Sequence, residues 1–301
     1  MKFNHKITFE NESSKNELVE KYKDDLIEYI KDLLYGSFDF DIKLHVIIRD
    51  IEIKTNFVNN ETDSGYASMK KDGSFLIVLG TESLERIPYD EGLDVAISIF
   101  HELGHIYDLH HVLNNKYYKI NPLITRQKYM DDYIIQQGWT FWTEFFAYYF
   151  TFDKYKGLHD YPTFHQLLVS YKKLIENYNK LQTKLTENTK EVKDLVEQHI
   201  NKIKQFTYAL AKYITGSIVG KQRYYSVKVN SKNKKFVIEI DKILNRLTKL
   251  ALKLTINTYG KGMARKLWNI GDYILRTFYV KYNIIPIKRK GDIVLAYYKK
   301  D

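Results

Sequence analysis

Cysteine is absent from the 301-residue sequence, which excludes disulfides, thiolate metal sites and a cysteine nucleophile. Any metal ion must therefore be held by histidine, aspartate or glutamate. Long apolar runs are absent too, since no stretch approaches the roughly 20 apolar residues of a membrane span. The N-terminal segment lacks the apolar core of a signal peptide. We expect a cytoplasmic protein without a membrane span, while export that needs no signal peptide stays open.

Arginine is scarce: it supplies eight of the 47 basic residues, and lysine dominates the formal net charge of +10. An excess of positive charge can bind nucleic acid or an anionic surface. The chain is also rich in asparagine, isoleucine and tyrosine, a mixture that, with lysine, is typical of an AT-rich genome. We therefore discount the charge and regard nucleic acid as a poor candidate partner, although the charge of +10 leaves it open.

The first 60 residues predict one helix followed by strand. Ser14 to Glu17 have the spacing of a capping box, in which the two side chains close the first turn of a helix. Apolar residues then recur at helical spacing and predict a helix over 15–35. The stretch 41–58 is β-branched and free of glycine and proline, so we expect one strand or two there.

A hairpin and a second helix are predicted next. Lys71-Asp72-Gly73 is a turn sequence between two apolar-rich runs, Tyr66–Met69 and Phe75–Leu79. Asp90 or a neighbour can then cap a helix whose apolar positions continue into residues 101–105. The pattern places those five residues on a helix that directly follows strands.

The chain from about residue 128 onward has mainly helical periodicity. A helical hairpin and two further helices are expected at 165–215, 236–256 and 262–282. Short strands are expected at 224–230 and 292–300. No internal repeat and no proline- or serine-rich linker occurs, and the clearest shift in composition lies near residues 155–162.

Residues 101–105 read His-Glu-Leu-Gly-His, an HExxH motif. On a helix, His101 and His105 lie one turn apart on the same side, where both can offer a neutral imidazole nitrogen to zinc. Glu102 projects from the neighbouring position, where it can take a proton from water instead of ligating the metal. An accidental HExxH is rare, and the helical setting after strands favours a Zn²⁺ site.

Catalytic zinc usually takes three protein ligands, so a third is needed from a later segment. Glu144 is our choice, because it lies on its own predicted helix among aromatic residues. A carboxylate in such surroundings needs a compensating partner, and zinc would supply one. The alternative is an ordinary, partly exposed helix glutamate. Asp131 and Asp132 are rivals in a more polar setting.

Other polar residues near the motif receive supporting or negligible roles. Asp108 lies seven residues after His101, on the same helix face, and we expect it to accept a hydrogen bond from a ligand histidine. An ordinary helix carboxylate is equally compatible with that position. His110 and His111 lie beyond the compact motif, and we expect them not to ligate.

An oxyanion formed during peptide hydrolysis needs a hydrogen-bond donor. We assign this catalytic role to Tyr133, because it precedes Glu144 on the presumed active-site side. The assignment is weak in a chain with 26 tyrosines. The other candidates are Tyr148, His159 and His165.

These residues resemble the gluzincin class of zinc metallopeptidases, in which HExxH is joined by a distant glutamate. HELGHIYD at 101–108 and EFFAYYF at 144–150 are similar to segments of lethal-factor-like catalytic domains, and the outline also resembles ImmA/IrrE-type peptidases. The resemblance covers about residues 40–155. It implies zinc bound by His101, His105 and Glu144, with Glu102 as general base and a counterpart for Asp108. Where lethal-factor-like enzymes have a catalytic tyrosine, this chain has Gln137.

We therefore predict an α+β fold. A zincin-like metallopeptidase domain over 1–157, with a small twisted sheet and the HExxH helix, precedes a mainly helical domain of unknown role over 158–301. The predicted function is a zinc-dependent metallo-endopeptidase that hydrolyses a protein or peptide substrate. One alternative is a toxin or defence effector that cleaves a single host protein. The other is a non-catalytic interaction or nucleic-acid-binding protein with a structural zinc site.

Overall fold

The structure is a computed structural model that describes residues 3–50, 65–117, 127–156, 161–184, 190–220, 233–255 and 258–297. The chain divides into two compact units. The sheet unit comprises residues 1–110 and 153–155, and the helical unit comprises residues 111–152 and 156–301. These units are defined by contacts between residues and not by independent folding, so the predicted domain boundary at residue 157 stays a prediction. The predicted α+β class is confirmed, with most described residues helical, one four-stranded sheet and one two-stranded sheet.

A four-stranded sheet organises the sheet unit. Its strands are β1 (His5–Glu12), β2 (Ile42–Arg49), β3 (Gly65–Met69) and β4 (Phe75–Gly80), in the order β1-β2-β4-β3. Strands β1, β2 and β4 run parallel to one another, and β3 pairs antiparallel with β4. The central strands β2 and β4 are apolar and largely buried. The edge strand β1 alternates exposed and half-buried residues, as expected of a strand with one solvated face.

Four helices accompany this sheet: α1 (Asn16–Ser37), α2 (Thr81–Glu85), α3 (Ile87–Asp90) and α4 (Leu93–Leu113). The predicted helix over 15–35 is confirmed, and so is the hairpin between β3 and β4. Asp90 caps the start of α4 as predicted, because its carboxylate accepts hydrogen bonds from the backbone N–H groups of Gly92 at 3.0 Å and Asp94 at 2.9 Å.

The capping box predicted at Ser14 to Glu17 is wrong. Lys15 precedes α1, and no side chain caps the helix. The serines have a stronger partner in Asp50, which follows β2: Ser13 Oγ donates to Asp50 Oδ1 at 2.7 Å and Ser14 N donates to Asp50 Oδ2 at 2.9 Å. These hydrogen bonds to the charged carboxylate lower the pKa of Asp50 well below its usual value. They tie the end of β1 to the end of β2.

The helical unit contains the helices α5 (Met130–Lys154), α6 (Phe164–Lys184), α7 (Lys190–Val219), α8 (Lys234–Thr255) and α9 (Met263–Ile274). A π turn (Leu275–Tyr279), a 3-10 turn (Val280–Tyr282) and the antiparallel hairpin β5 (Ile284–Arg289) and β6 (Asp292–Tyr297) follow α9. One hydrophobic core joins these helices. Its buried members include Trp142, Tyr171, Phe206, Leu244 and Phe278.

The predicted helical hairpin over 165–215 corresponds to α6 and α7, and the helix over 236–256 corresponds to α8. The predicted helix over 262–282 changes to π and 3-10 geometry after Ile274. The C-terminal strand is confirmed as β6, whereas the strand predicted at 224–230 lies outside the described residues. Within those residues, no helix is long and apolar enough to cross a membrane.

Helices α5 and α9 cross at their backbones. A Cβ atom added to Gly138 would overlap the carbonyl oxygen of Leu267, and one added to Gly271 would overlap the carbonyl oxygen of Ile134 and lie 2.8 Å from the backbone nitrogen of Gly138. Only glycine permits this approach. The crossing fixes α5, the helix that carries Glu144, against the core of the helical unit.

This crossing generates a stability prediction. Gly138→Ala should lower the free energy of unfolding by about 3 kcal/mol or more, because the added methyl group overlaps backbone that cannot rotate away. Gly36→Ala is the matched control: Gly36 lies in α1, and no atom beyond its chain neighbours and the backbone of its own helix lies within 4 Å of an added Cβ, so alanine should raise stability by about 0.5–1 kcal/mol. Urea-unfolding midpoints measure both changes. Equal midpoints for the two variants would contradict the close crossing.

Candidate metal centre

Helix α4 places the two motif histidines together. His101 and His105 are one turn apart, and their Nε2 atoms are 3.1 Å from each other. The ring centroids are 4.7 Å apart with the ring planes at 89°. Apolar residues on the rest of α4, among them Ile99, Leu103 and Ile106, are fully buried and hold the helix in place. The two imidazoles therefore point one nitrogen each at a common point.

Glu144 on α5 joins these histidines. His101, His105 and Glu144 each offer one ligand atom, and the three atoms lie within 4.8 Å of one another. All three side chains are half-buried. The structure thus brings together the three ligands predicted from the sequence, and the group could hold a metal ion.

The donor set fits zinc. Two imidazoles and one carboxylate are a usual ligand set for catalytic Zn²⁺, with the fourth position left for water or substrate. A tetrahedral ion with ligands at about 2.0–2.1 Å holds neighbouring ligand atoms about 3.3 Å apart, close to the 3.1 Å between the histidine nitrogens. The same distance also suits a hydrogen bond from a protonated to an unprotonated histidine nitrogen. Metal analysis of the purified protein distinguishes a bound metal ion from such a hydrogen bond.

The protonation state of the histidines also matters, since only a neutral imidazole ligates a metal. Burial lowers the pKa of His105 to about 4, because the charged form loses its hydration. His105 is therefore neutral at neutral pH, ready to bind a cation without first releasing a proton.

Two carboxylates on α4, close in sequence to the two histidines, are buried. Glu102 is 8% exposed and Asp108 is fully buried. A buried carboxylate is expensive unless hydrogen bonds or opposite charge compensate it, so neither position resembles an ordinary surface residue of a helix. The burial of Asp108 disfavours the alternative of a solvated helix carboxylate. Its predicted role as acceptor for a ligand histidine stays a prediction.

The residues predicted not to ligate lie elsewhere. The ring of His110 stacks on Phe40, with centroids 3.5 Å apart, and the ring of His111 stacks on Tyr259, with centroids 4.8 Å apart. Asp131, a rival third ligand, accepts a hydrogen bond from Trp268 Nε1 at 3.0 Å. Within the described residues, the metal-binding group includes none of these side chains.

Tyr133 is not brought to the ligand group. It lies in the hydrophobic core of the helical unit, where burial raises the pKa of its phenol. Tyr133 and Glu144 are eleven positions apart on the continuous helix α5, which is about 16 Å along the axis. That distance is too long for a shared oxyanion, so the oxyanion role of Tyr133 is not supported by the helix geometry and stays a prediction.

Tyr148 is better placed on α5. It lies four positions after Glu144, one turn further along the same helix face. The Lys212 amino group of α7 lies 5.3 Å from the centroid of the Tyr148 ring. This neighbour was not predicted, because it is 64 positions away in sequence and only tertiary packing brings it there. Among the other candidates, His165 is exposed at the start of α6, and His159 lies outside the described residues.

No family model, curated protein or solved structure matches this chain. The residues and their geometry therefore carry the functional argument.

The ligand group predicts the metal content of the purified protein. The wild-type chain should bind one zinc ion per molecule, and His101→Ala, His105→Ala and Glu144→Ala should each lower its zinc affinity by a factor of about 100 or more. His110→Gln is the control on the same helix and should bind zinc normally. Elemental analysis after dialysis, with titration of a fluorescent zinc chelator, measures both. Normal zinc content in Glu144→Ala would remove Glu144 from the ligand set.

Proposed function

We propose that this chain is a zinc-dependent metallo-endopeptidase with a zincin-like sheet unit. The observation that carries the proposal is the convergence of Glu144 on His101 and His105, because that convergence was predicted from a chemical need for a third ligand. The sheet adds support: three parallel strands and one antiparallel edge strand precede the helix that carries the motif.

The residues would divide the chemistry as follows. His101, His105 and Glu144 would hold the ion. Zinc bound there would lower the pKa of water and polarise a peptide carbonyl. Glu102, adjacent to His101 on α4, accepts a proton from the attacking water and passes it to the departing amine. Glu102 is the feature that favours an enzyme over a structural metal site, since holding a metal requires no base.

The edge strand β3 favours a protein substrate. In the described residues, β3 pairs with β4 on one side only, and Tyr66 on β3 is 46% exposed. Among the described residues nothing pairs with the other side of β3, and backbone N–H and C=O groups on such an edge can add an extended peptide as a further strand. Such binding depends on the peptide backbone, so it suits a chain whose side chains vary.

The proposed role of Glu102 is tested by Glu102→Gln. The amide cannot accept the proton, so kcat/KM should fall by a factor of about 1,000 or more, whereas zinc content should stay at the wild-type level. Cleavage of a denatured protein mixture, followed by mass spectrometry of new peptide termini, measures the activity. The control is Glu91→Gln, which removes the same charge from the loop before α4. Equal cleavage by wild type and Glu102→Gln would overturn the peptidase proposal.

Tyr148 is the expected oxyanion donor on this model of the chemistry. Tyr148→Phe should lower kcat by a factor of about 100 and leave KM nearly unchanged, because the hydrogen bond forms only as negative charge develops. Tyr149→Phe, at the more exposed neighbouring position, removes the same hydroxyl group and should have no effect. Steady-state kinetics on a peptide substrate found by the cleavage screen measures both. A change in KM alone would assign Tyr148 to substrate binding.

A further inference from the structure

The net charge of +10 conceals a strong division between the two units. Residues 1–110 and 153–155 contain 13 Lys and Arg against 23 Asp and Glu, a net charge of −10. Residues 111–152 and 156–301 contain 34 Lys and Arg against 14 Asp and Glu, a net charge of +20. A composition bias acts on the whole chain alike, so it does not explain why the cations collect in one unit.

Helix α8 concentrates part of this charge on one face. Its outward positions carry Lys235, Lys242, Arg246, Lys249 and Lys253, and all five are exposed. The steps between them are seven, four, three and four residues, which is the spacing of a single stripe on a helix. At 1.5 Å per residue the stripe is about 27 Å long.

From Arg246 to Lys253 this stripe has no acidic residue of α8 beside it. Within the described residues, none of its five cations forms an ion pair. Of the two acids of α8, Glu239 lies beside the N-terminal end of the stripe, four positions after Lys235, and is paired with Lys281, whereas Asp241 is half-buried. Like charges three or four residues apart destabilise a helix by about 0.2–0.5 kcal/mol per pair. The fold accepts that cost at three successive steps of the stripe.

The β5–β6 hairpin carries a second basic feature. Lys288, Arg289 and Lys290 lie at its end and are exposed. Lys290 and Gly291 both have positive φ, at 50° and 90°, which is the geometry of a tight type I′ turn. The hairpin follows the 3-10 turn whose Lys281 is paired with Glu239 of α8. Its base is therefore tied to the N-terminal part of α8.

The chemistry of the stripe favours nucleic acid over a membrane. An interfacial helix needs a free apolar face, but the apolar face of α8 is buried in the core, as at Leu244, Leu247 and Leu254. Its exposed apolar side chains are Ile238 at 46% and Leu252 at 42%. A protein partner would also need apolar or aromatic anchors at the centre of the contact. A line of five point charges with only these two apolar side chains beside it matches a phosphate backbone better than a protein surface.

We infer that the helical unit binds duplex nucleic acid through its phosphates, along the α8 stripe (Lys235, Lys242, Arg246, Lys249 and Lys253) and with the β5–β6 hairpin end. Four of the five stripe cations are lysines, which bind phosphate as point charges without fixed geometry. Phosphate contacts position a protein but carry no sequence information. The binding is therefore independent of base sequence and steeply dependent on salt.

The test uses the full chain and a fluorescein-labelled DNA duplex of about 30 base pairs of arbitrary sequence. Fluorescence anisotropy measures the binding affinity between about 50 and 200 mM KCl. The five stripe contacts alone give a slope of about −4.5 for log affinity against log salt, and contacts from the hairpin end make it steeper. The triple variant Lys242→Gln/Arg246→Gln/Lys249→Gln should bind at least tenfold more weakly at 50 mM, with a slope about 2.7 smaller in magnitude than that of wild type. A duplex of RNA of equal length shows which nucleic acid is preferred.

The matched control is Lys6→Gln/Lys21→Gln/Lys31→Gln, which removes three exposed lysines from the sheet unit. Both triple variants lower the net charge equally, so the control should bind within about twofold of wild type. Equal weakening of both variants would overturn the stripe as the binding surface. Failure of the wild-type chain to bind the duplex at 50 mM would also overturn the inference. The same holds if the stripe binds vesicles of phosphatidylcholine with one-third phosphatidylserine but does not bind DNA.

The inference does not depend on the proposed peptidase activity. Glu102→Gln and zinc-stripped wild type should bind the duplex with unchanged affinity, because α8 carries none of the proposed ligands. If the chain binds the duplex but cleaves no peptide, the inference about the stripe stands and only the peptidase proposal fails. Equal urea midpoints for the two triple variants check that both are folded.

Discussion

The backbone contact between α5 and α9 is the constraint on which the proposed chemistry most depends. Gly138 and Gly271 remove two side chains at the crossing, so the helices approach more closely than any other residue pair would allow. Glu144 lies six positions beyond Gly138 on the same rigid helix. A shift of α5 at the crossing would move that carboxylate by a similar distance. Glu144, the proposed third ligand, is thus positioned by packing that includes neither of the other two proposed ligands.

Local spacing in the sequence was sufficient for the features that depend on one helix. The HExxH pair, the Asp90 cap and the turn at 71–73 each involve residues within a few positions of one another. Glu144 was a harder prediction, since it required the rule that catalytic zinc takes three ligands. The capping box failed because Asp50, 36 positions from Ser14, competed for the same groups.

The other features that the sequence did not predict depend on tertiary contacts or on how charge is summed along the chain. β1 was not predicted because its solvated face carries charged residues, which mask the strand pattern until pairing with β2 is known. The glycine crossing has no sequence signature, because it depends on which helix meets α5. The division of charge between the two units was missed for a different reason: the net charge of the whole chain sums −10 and +20, although electrostatic fields act locally.

Helix α4 shows how the sheet unit tolerates a cluster of costly polar groups. Ile99, Leu103 and Ile106 are at most 1% exposed, and burial of each such side chain contributes about 1.5–3 kcal/mol. This apolar face offsets the cost of burying Glu102 and Asp108. A cation bound by the histidines would reduce that cost further, since it lowers the energy of nearby carboxylates. Metal binding and the stability of this unit should therefore be thermodynamically linked, because a ligand that binds only the folded state stabilises it.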